Sequence, residues 1–433
     1  MKEISGGVCA PRGFRAGGVW CGIKAGSQKR DLGLIYSEQS CAAAALFTAN
    51  RVKAASVLVS REHLASGRLR AVIANSGNAN ACTGEPGLAA ARRMAELAAA
   101  KLSAKFSGKP LANILTNILR KDGGIGPADV AVASTGVIGV PLPVEAIENG
   151  MDALVASLSR DEAGHAAALE SIMTTDTRKK DGALEFDLGG VPVRIGGMAK
   201  GSGMIHPNMA TMLCFMTTDA ALSPPLLDLA LRRAVNRSFN RVTVDGDTST
   251  NDTIILMANG AAGNHPLARE GPDWECFAEA LERLCVKMAR AMARDGEGAS
   301  RLMTVTVSGA VDEESAALLA KAVASSSLVK AACCGADANW GRVLCALGYA
   351  GVDFDPAAVD VAFQSAAGKV AVCRGGVSLP FSEDAAKKIL SAEEIEILVE
   401  LGGPQVKAGG AAATVWGCDL TCDYVKINGD YRS

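Results

Sequence analysis

Gly196-Gly-Met-Ala-Lys-Gly-Ser-Gly203 runs directly into Met204-Ile-His-Pro-Asn-Met-Ala-Thr-Met-Leu-Cys-Phe-Met216. The first eight residues read as loop chemistry, because four glycines in eight positions suit turns and close backbone approaches. The run from Thr211 to Met216 is continuously apolar and bounded by turns. It predicts a short strand covered on both faces.

Outward from this point, strand and helix signals interleave. On the N-terminal side, Ala71-Val-Ile-Ala-Asn-Ser76 predicts a buried strand running into a Gly/Asn turn, and Pro86-Gly87 opens an Ala-rich helix to about Leu102. Val130 to Ser134 predicts a strand ending at Thr135-Gly136. Pro143 suits the first turn of a helix that stops at Asn149-Gly150. A second helix is expected from Asp161 to about Met173, and Leu188 to Ile195 is strand-like with a Gly-Gly turn inside it. On the C-terminal side, Ser223-Pro-Pro caps a helix to about Asn236. Phe277, Leu281, Leu284, Met288 and Met292 recur at three- and four-residue spacing, so Trp274 to Arg294 is the strongest helix. Leu302 to Val307 alternates as a strand, Glu313 to about Val329 reads as one helix, and Thr414-Val-Trp-Gly-Cys-Asp-Leu-Thr ends a strand-rich final third. The pattern is mixed α/β.

Composition narrows the function classes. With 433 residues, 49% hydrophobic and 21% charged, the chain can bury a large core and is not wholly disordered. Lys+Arg of 44 against Asp+Glu of 46 leaves a net charge of -2, which argues against a nucleic-acid partner. No apolar run of about 18 residues exists, so no membrane span is expected. Met1-Lys-Glu-Ile-Ser-Gly-Gly-Val8 has no apolar core, so no signal peptide is expected. The 13 cysteines show no even framework and several sit in apolar runs, which fits free thiols in a cytoplasmic protein. Cys333-Cys334 and Cys418-x-x-x-Cys422 lack a CxxC pair and a nearby His, so no metal is expected.

Most familiar catalytic signatures are missing. Gly108-Lys109 would need a Gly where Ser103 stands to make a phosphate loop, no G-x-G-x-x-G follows a strand, and no G-x-S-x-G elbow occurs. Asp245-Gly-Asp-Thr-Ser-Thr-Asn-Asp252 has the acidity of a calcium loop. It carries Thr250 at the sixth position and Leu256 at the twelfth, which rules that loop out. Two readings of it stay open, a turn between strands and a role in shaping a site. The four histidines are scattered, and His206 fits loop bonding better than catalysis.

Taken together, Gly197-Met-Ala-Lys-Gly-Ser-Gly-Met-Ile-His-Pro-Asn-Met-Ala-Thr-Met-Leu213 closely resembles the self-cleavage segment of the glutamate/ornithine N-acetyltransferase family of arginine biosynthesis. The likeness extends to Gly6-Gly-Val-Cys-Ala-Pro-Arg-Gly-Phe-Arg-Ala16, Asp31-Leu-Gly-Leu-Ile-Tyr36, Asn75-Ser-Gly-Asn-Ala-Asn-Ala-Cys-Thr-Gly84, Thr174-Thr-Asp-Thr177, Arg294-Asp-Gly-Glu-Gly-Ala299 and the tail Asn428-Gly-Asp-Tyr-Arg-Ser433. Gly429 stands where the family pattern has Ala.

The resemblance implies an αββα sandwich core of the self-processing amidase/ornithine acetyltransferase type, with a smaller C-terminal α/β domain. It implies cleavage between Ala210 and Thr211, so that 1–210 form an α chain, 211–300 begin a β chain that completes the core, and 301–433 form the smaller domain with a tail returning to the active site. Thr211 becomes the nucleophile, Thr135 and Gly136 the oxyanion hole, and Thr174, Lys200, Thr211, Glu297, Asn428 and Ser433 the substrate contacts. The implied reaction moves acetyl from N2-acetyl-L-ornithine to L-glutamate, needs no cofactor, and leaves acetyl-CoA open as a second donor. An α2β2 assembly of the two chains is implied. Two competitors remain. One is an amidase or aminopeptidase of the same fold, against which the Thr at the cleavage point argues. The other is an uncleaved binding protein.

Overall fold

The computed structural model describes residues 1–24, 26–106, 124–206, 212–403 and 410–429. The chain divides into two compact units. One holds Met1–Gly201, Thr211–Ser238 and Thr248–Met288, and the other holds Ser202–Ala210, Phe239–Asp247 and Ala289–Ser433. In chain order the strands are β1 (Lys2–Ile4), β2 (Phe14–Val19), β3 (Leu32–Phe47), β4 (Arg68–Asn78), β5 (Val130–Val137), β6 (Lys180–Leu188), β7 (Val191–Lys200), β8 (Leu213–Thr218), β9 (Val242–Thr243), β10 (Thr253–Ala258), β11 (Leu302–Ala310), β12 (Val359–Ser365), β13 (Gly368–Arg374), β14 (Val377–Ser378), β15 (Glu394–Leu401) and β16 (Ala411–Cys418).

The first unit carries a nine-stranded sheet ordered β1-β6-β7-β8-β10-β3-β4-β5, with β2 also on β3. Strand β3 spans 16 residues and changes partners along its length. Leu32 to Ser37 pair with β2, whereas Ala42 to Phe47 pair with β10. Its register against β4 slips between Tyr36 and Cys41. Such a bulge bends and twists a strand, and here it folds the sheet onto itself. Val72, Ala74, Ala131 and Ala133 of β4 and β5 share one buried cluster with Met198, Leu213, Phe215, Ile255 and Met257 of β7, β8 and β10. Because side chains alternate along a strand, the neighbouring residues point outward to helices. Ala71, Ile73, Val130 and Val132 pack on helices Gly84–Phe106 and Val144–Ala156 through Met94, Leu102, Ile147 and Leu154. On the other half, Met216 of β8 meets Cys285 of helix Pro272–Arg294, sulfur to sulfur at 3.6 Å. The result is the αββα order expected above. It also explains why β8 is buried at every position and apolar from Leu213 to Met216. Its two faces meet a sheet and a helix, and each fully buried Leu or Phe there is worth about 1.5–3 kcal/mol.

The second unit has a seven-stranded sheet, β14-β13-β12-β15-β11-β16-β9. Helices Glu313–Ser325, Trp340–Gly348 and Glu383–Leu390 pack on it through Leu319, Val323, Val343 and Ile389 against Val305, Phe363 and Ile397. Among the described residues no single helix is long and apolar enough to cross a membrane.

Three sequence expectations need correction. The helix beginning at Val144 does not stop at Gly150 but continues to Ala156. Gly150 serves packing instead, since a Cβ there would lie 2.5 Å from the Cys21 Cβ. The glycines from Gly196 do not open a loop, because β7 extends to Lys200. A Cβ at Gly196 would lie 1.8 Å from the Gly7 carbonyl oxygen, so these glycines let a strand pass under another segment. The helix from Glu313 breaks at Ser326, whose hydroxyl accepts from the Val329 N–H and caps a new helix, Ser327–Cys334, bent by 59°. The Gly189-Gly190 pair makes the turn between β6 and β7, with both residues at positive φ.

Candidate active site

The end of β5 and the end of β7 build a polar cluster within the first unit. Strand β5 continues past Ser134 to Val137 in parallel pairing with β4, with Ser76 opposite Thr135 and Gly77 opposite Gly136. Gly136 has φ 133, and a Cβ on it would sit 2.4 Å from the Gly77 carbonyl carbon. Only glycine fits this crossing. From the end of β7, the Lys200 side chain, almost fully buried, reaches back. Its Nζ donates to Thr174 Oγ1 at 2.7 Å and, over a longer 3.4 Å, to Thr135 Oγ1. Three of the expected site residues, Thr135, Thr174 and Lys200, are thus brought together.

Asp176 organises this cluster and was not singled out from the sequence, although it lies inside Thr174-Thr-Asp-Thr177. Its fully buried carboxylate takes the Thr174 N–H at 3.0 Å on one oxygen. On the other it takes the Gly201 N–H and the Lys180 ammonium, both at 2.7 Å. Lys200 Nζ stands 3.9 Å away. Burial alone would raise the Asp176 pKa, but the Lys200 and Lys180 ammoniums outweigh it and hold the carboxyl at about 2. Nearby, Lys24 donates to the Met173 carbonyl at 2.9 Å, and burial lowers its pKa to about 8.

The Asp245–Asp252 run shapes its surroundings and is more than a turn. In the first unit, Asn251 Nδ2 donates to the carbonyls of Ala79 at 2.6 Å and Ser134 at 2.8 Å, tying β5 to the loop after β4. Asp252 accepts the Met212 N–H at 3.0 Å, and complete burial pushes its carboxyl well above the ordinary range. In the second unit, Asp245 accepts the N–H groups of Met204 at 2.5 Å and Ile205 at 2.9 Å. His206 Nδ1 lies 3.2 Å from Thr243 Oγ1, and burial lowers its pKa, helped by the Lys321 ammonium. That is a loop-bonding role. The run therefore holds the chain just before and just after residues 207–211. Ala210, Thr211 and Ser433 themselves lie outside the described residues.

Glu297 and Asn428 meet within the second unit. Asn428 Nδ2 donates to Glu297 Oε2 at 2.8 Å, and the Glu297 N–H donates to the Ser202 carbonyl at 2.8 Å. A Cβ on Gly203 would fall 2.2 Å from Glu297 Oε2, so the glycine makes room for the carboxylate. Gly298, at φ 70, lets the turn close against the Tyr424 backbone.

Among the described residues, Glu162, His165 and Asp181 could offer three ligand atoms to a cation. Their hydrogen bonds give them another task. The Val8 N–H donates to His165 Nδ1 at 3.3 Å, so Nε2 carries the proton it shares with Asp181 Oδ2 at 2.7 Å. Both ring nitrogens are engaged in fastening the chain near Gly7.

An αββα unit with an ammonium, a carboxylate and two threonine hydroxyls gathered at its strand ends defines a layered α/β enzyme with a polar, pre-charged site. The pattern of the ArgJ family matches residues 15–433, and the chain belongs to that family. It is 49% identical over 434 residues to the arginine biosynthesis bifunctional protein ArgJ of Symbiobacterium thermophilum, covering 100% of both chains. It is 47% identical to the protein of that name from Caldanaerobacter subterraneus, again over 100% of both. Among solved structures, ornithine acetyltransferase of Mycobacterium tuberculosis, complexed with ornithine, is 40% identical with a TM-score of 0.41, over 49% of this chain and 99% of that one.

Proposed function

We propose that the protein transfers the acetyl group of N2-acetyl-L-ornithine to L-glutamate through an acetyl-Thr211 intermediate, in arginine biosynthesis. Full-length identity of nearly half to proteins named for that pathway supports the reading. The observation that carries it at the site is the cluster of Lys200, Thr174 and Thr135, three residues far apart in sequence that the resemblance assigns to one reaction.

The chemistry follows from an N-terminal threonine. Cleavage of the Ala210–Thr211 bond frees an α-amine on the residue that bears the hydroxyl. Such an amine titrates near ~7.7–8.0 and is partly neutral at neutral pH. It takes the hydroxyl proton as Thr211 Oγ attacks the acetyl carbon, and Thr135 and Gly136 stabilise the oxyanion. The amine returns the proton to the departing ornithine nitrogen as the C–N bond breaks. Glutamate then attacks the acetyl-threonine ester by the reverse sequence. Thr174, Lys200, Glu297, Asn428 and Ser433 are assigned to substrate, with Glu297 suited to the side-chain ammonium of ornithine. Acetyl-CoA is a candidate second donor, and an α2β2 assembly in the cytoplasm completes the proposal.

Acetyl transfer to labelled glutamate, run separately with acetylornithine and acetyl-CoA, tests the reading. Transfer from acetylornithine is expected. Release of free acetate without acetylglutamate would favour the amidase reading instead.

A further inference from the structure

The contacts of Lys200 fit a task other than gripping a substrate carboxylate. An ammonium only donates, so in its contact with Thr135 the threonine oxygen is the acceptor. The Thr135 hydroxyl proton is therefore left to point elsewhere. A hydroxyl that accepts from a cation also donates more strongly, because hydrogen bonds in a chain polarise one another. The distance of 3.4 Å is long, and contacts of this kind tighten when charge develops on the reacting group. The lysine is also fixed from behind. Asp176 pins Gly201, the residue after Lys200, through the Gly201 N–H, and pins Thr174 through its own N–H. A second cation, Lys180, is fully buried against the same carboxylate at 2.7 Å, which holds Asp176 in place beside the lysine. A site that only needed to meet a carboxylate would not require the lysine to bond the oxyanion residue.

We propose that Lys200 is a positioning residue of the oxyanion hole, orienting the Thr135 hydroxyl toward the developing oxyanion, and that Asp176 holds Lys200 in that position. The inference rests on the acetyl-threonine reading of the same site and specifies what its lysine does.

The two roles separate with a donor that has no carboxylate. Mixing the purified protein with p-nitrophenyl acetate gives a nitrophenol burst as Thr211 is acetylated, and the mass of the 211–433 fragment confirms the acetyl group. Lys200→Met is expected to slow that burst by roughly 10²-fold, in the range seen on losing an oxyanion donor. Lys200→Arg, which keeps charge and donors in a different shape, is expected to recover part of the rate. Asp176→Asn is expected to slow the burst in the same direction as Lys200→Met. Lys200→Gln runs beside these in case the methionine protein does not fold, and should lose rate on the ester as well. If a folded Lys200→Met protein fails to cleave itself, that supports the proposal, because the Ala210–Thr211 bond offers no substrate carboxylate. Wild-type burst rates in Lys200→Met or Lys200→Gln, with only the acetylornithine KM raised, would overturn it. A wild-type protein that acquires no acetyl group from ester or acetylornithine would instead overturn the acetyl-threonine reading itself.

Discussion

The two polar clusters each centre on a buried carboxylate but differ in what meets it. Around Asp176 the charges are buried and each is fixed by several partners, backbone N–H groups included. Around Glu297, the carboxylate is met by Asn428, which is solvent-exposed and sits on the short helix Cys422–Gly429. A buried network cannot rearrange cheaply, because a charge left without its partner there is costly. It suits a task that must be the same in every turnover. A bond between a buried carboxylate and an exposed asparagine is open to solvent on one side and loses less when it is exchanged for another, which suits recognition of a substrate that comes and goes.

Changes in the first cluster should therefore cost stability or rate, and changes in the second should cost substrate affinity. Asp176→Asn is expected to have the largest effect on folding, destabilising the protein by roughly 3–5 kcal/mol because it leaves ammoniums buried without their counter-charge; thermal unfolding measures it. The same carboxylate sets a pH dependence. Its folded pKa of about 2 lies below the ordinary 3.8. Its stabilisation is thus complete above about pH 5 and is lost as pH falls toward 2, an amount on the order of 2 kcal/mol. In acid unfolding curves, Asp176→Asn should lack that part of the slope.

Thr135→Ala should lower kcat by about 10²–10³-fold with a folded, cleaved protein, as for loss of one oxyanion donor. A change confined to KM would move Thr135 out of that role. Glu297→Gln should leave the melting temperature nearly unchanged and raise KM for acetylornithine by roughly ten- to a hundredfold, from ~1.5–3 kcal/mol of charge-assisted bonding. A donor with an uncharged side chain should bind both enzymes alike, and equal losses would mean that Glu297 only shapes its turn. Asn428→Ala should have the smallest effect, about 0.5–1.5 kcal/mol in KM. A collapse of stability in that variant would erase the contrast between the clusters.

Much of the fold was legible because burial writes itself as periodicity. β8 and the helix from Pro272 announce their covered faces directly. The misreadings share a cause. Gly150 and Gly196 looked like punctuation, yet each is small because another segment crosses it, and a crossing partner far away in sequence leaves no local mark. The break at Ser326 was hidden in a run whose apolar spacing continues through it. At the site, Thr135, Thr174 and Lys200 came from the family resemblance, since a lone threonine or loop lysine carries no signal of its own. Asp176 escaped notice, and Asp252 was read only as part of an acidic run, because a surface aspartate and a buried one look alike in sequence and only tertiary contacts distinguish them.

The central claim is that Thr211 is both the product of cleavage and the carrier of the acetyl group. Mass spectrometry of the wild-type protein before and after exposure to acetylornithine, with Thr211→Ala alongside, tests it most directly. Two wild-type fragments meeting at Ala210–Thr211 are expected, with the gain of one acetyl group on the peptide that begins at Thr211. A single full-length, unacetylated chain is expected for Thr211→Ala. A fragment beginning at any other residue, or an acetyl group that appears elsewhere on the chain, would contradict it.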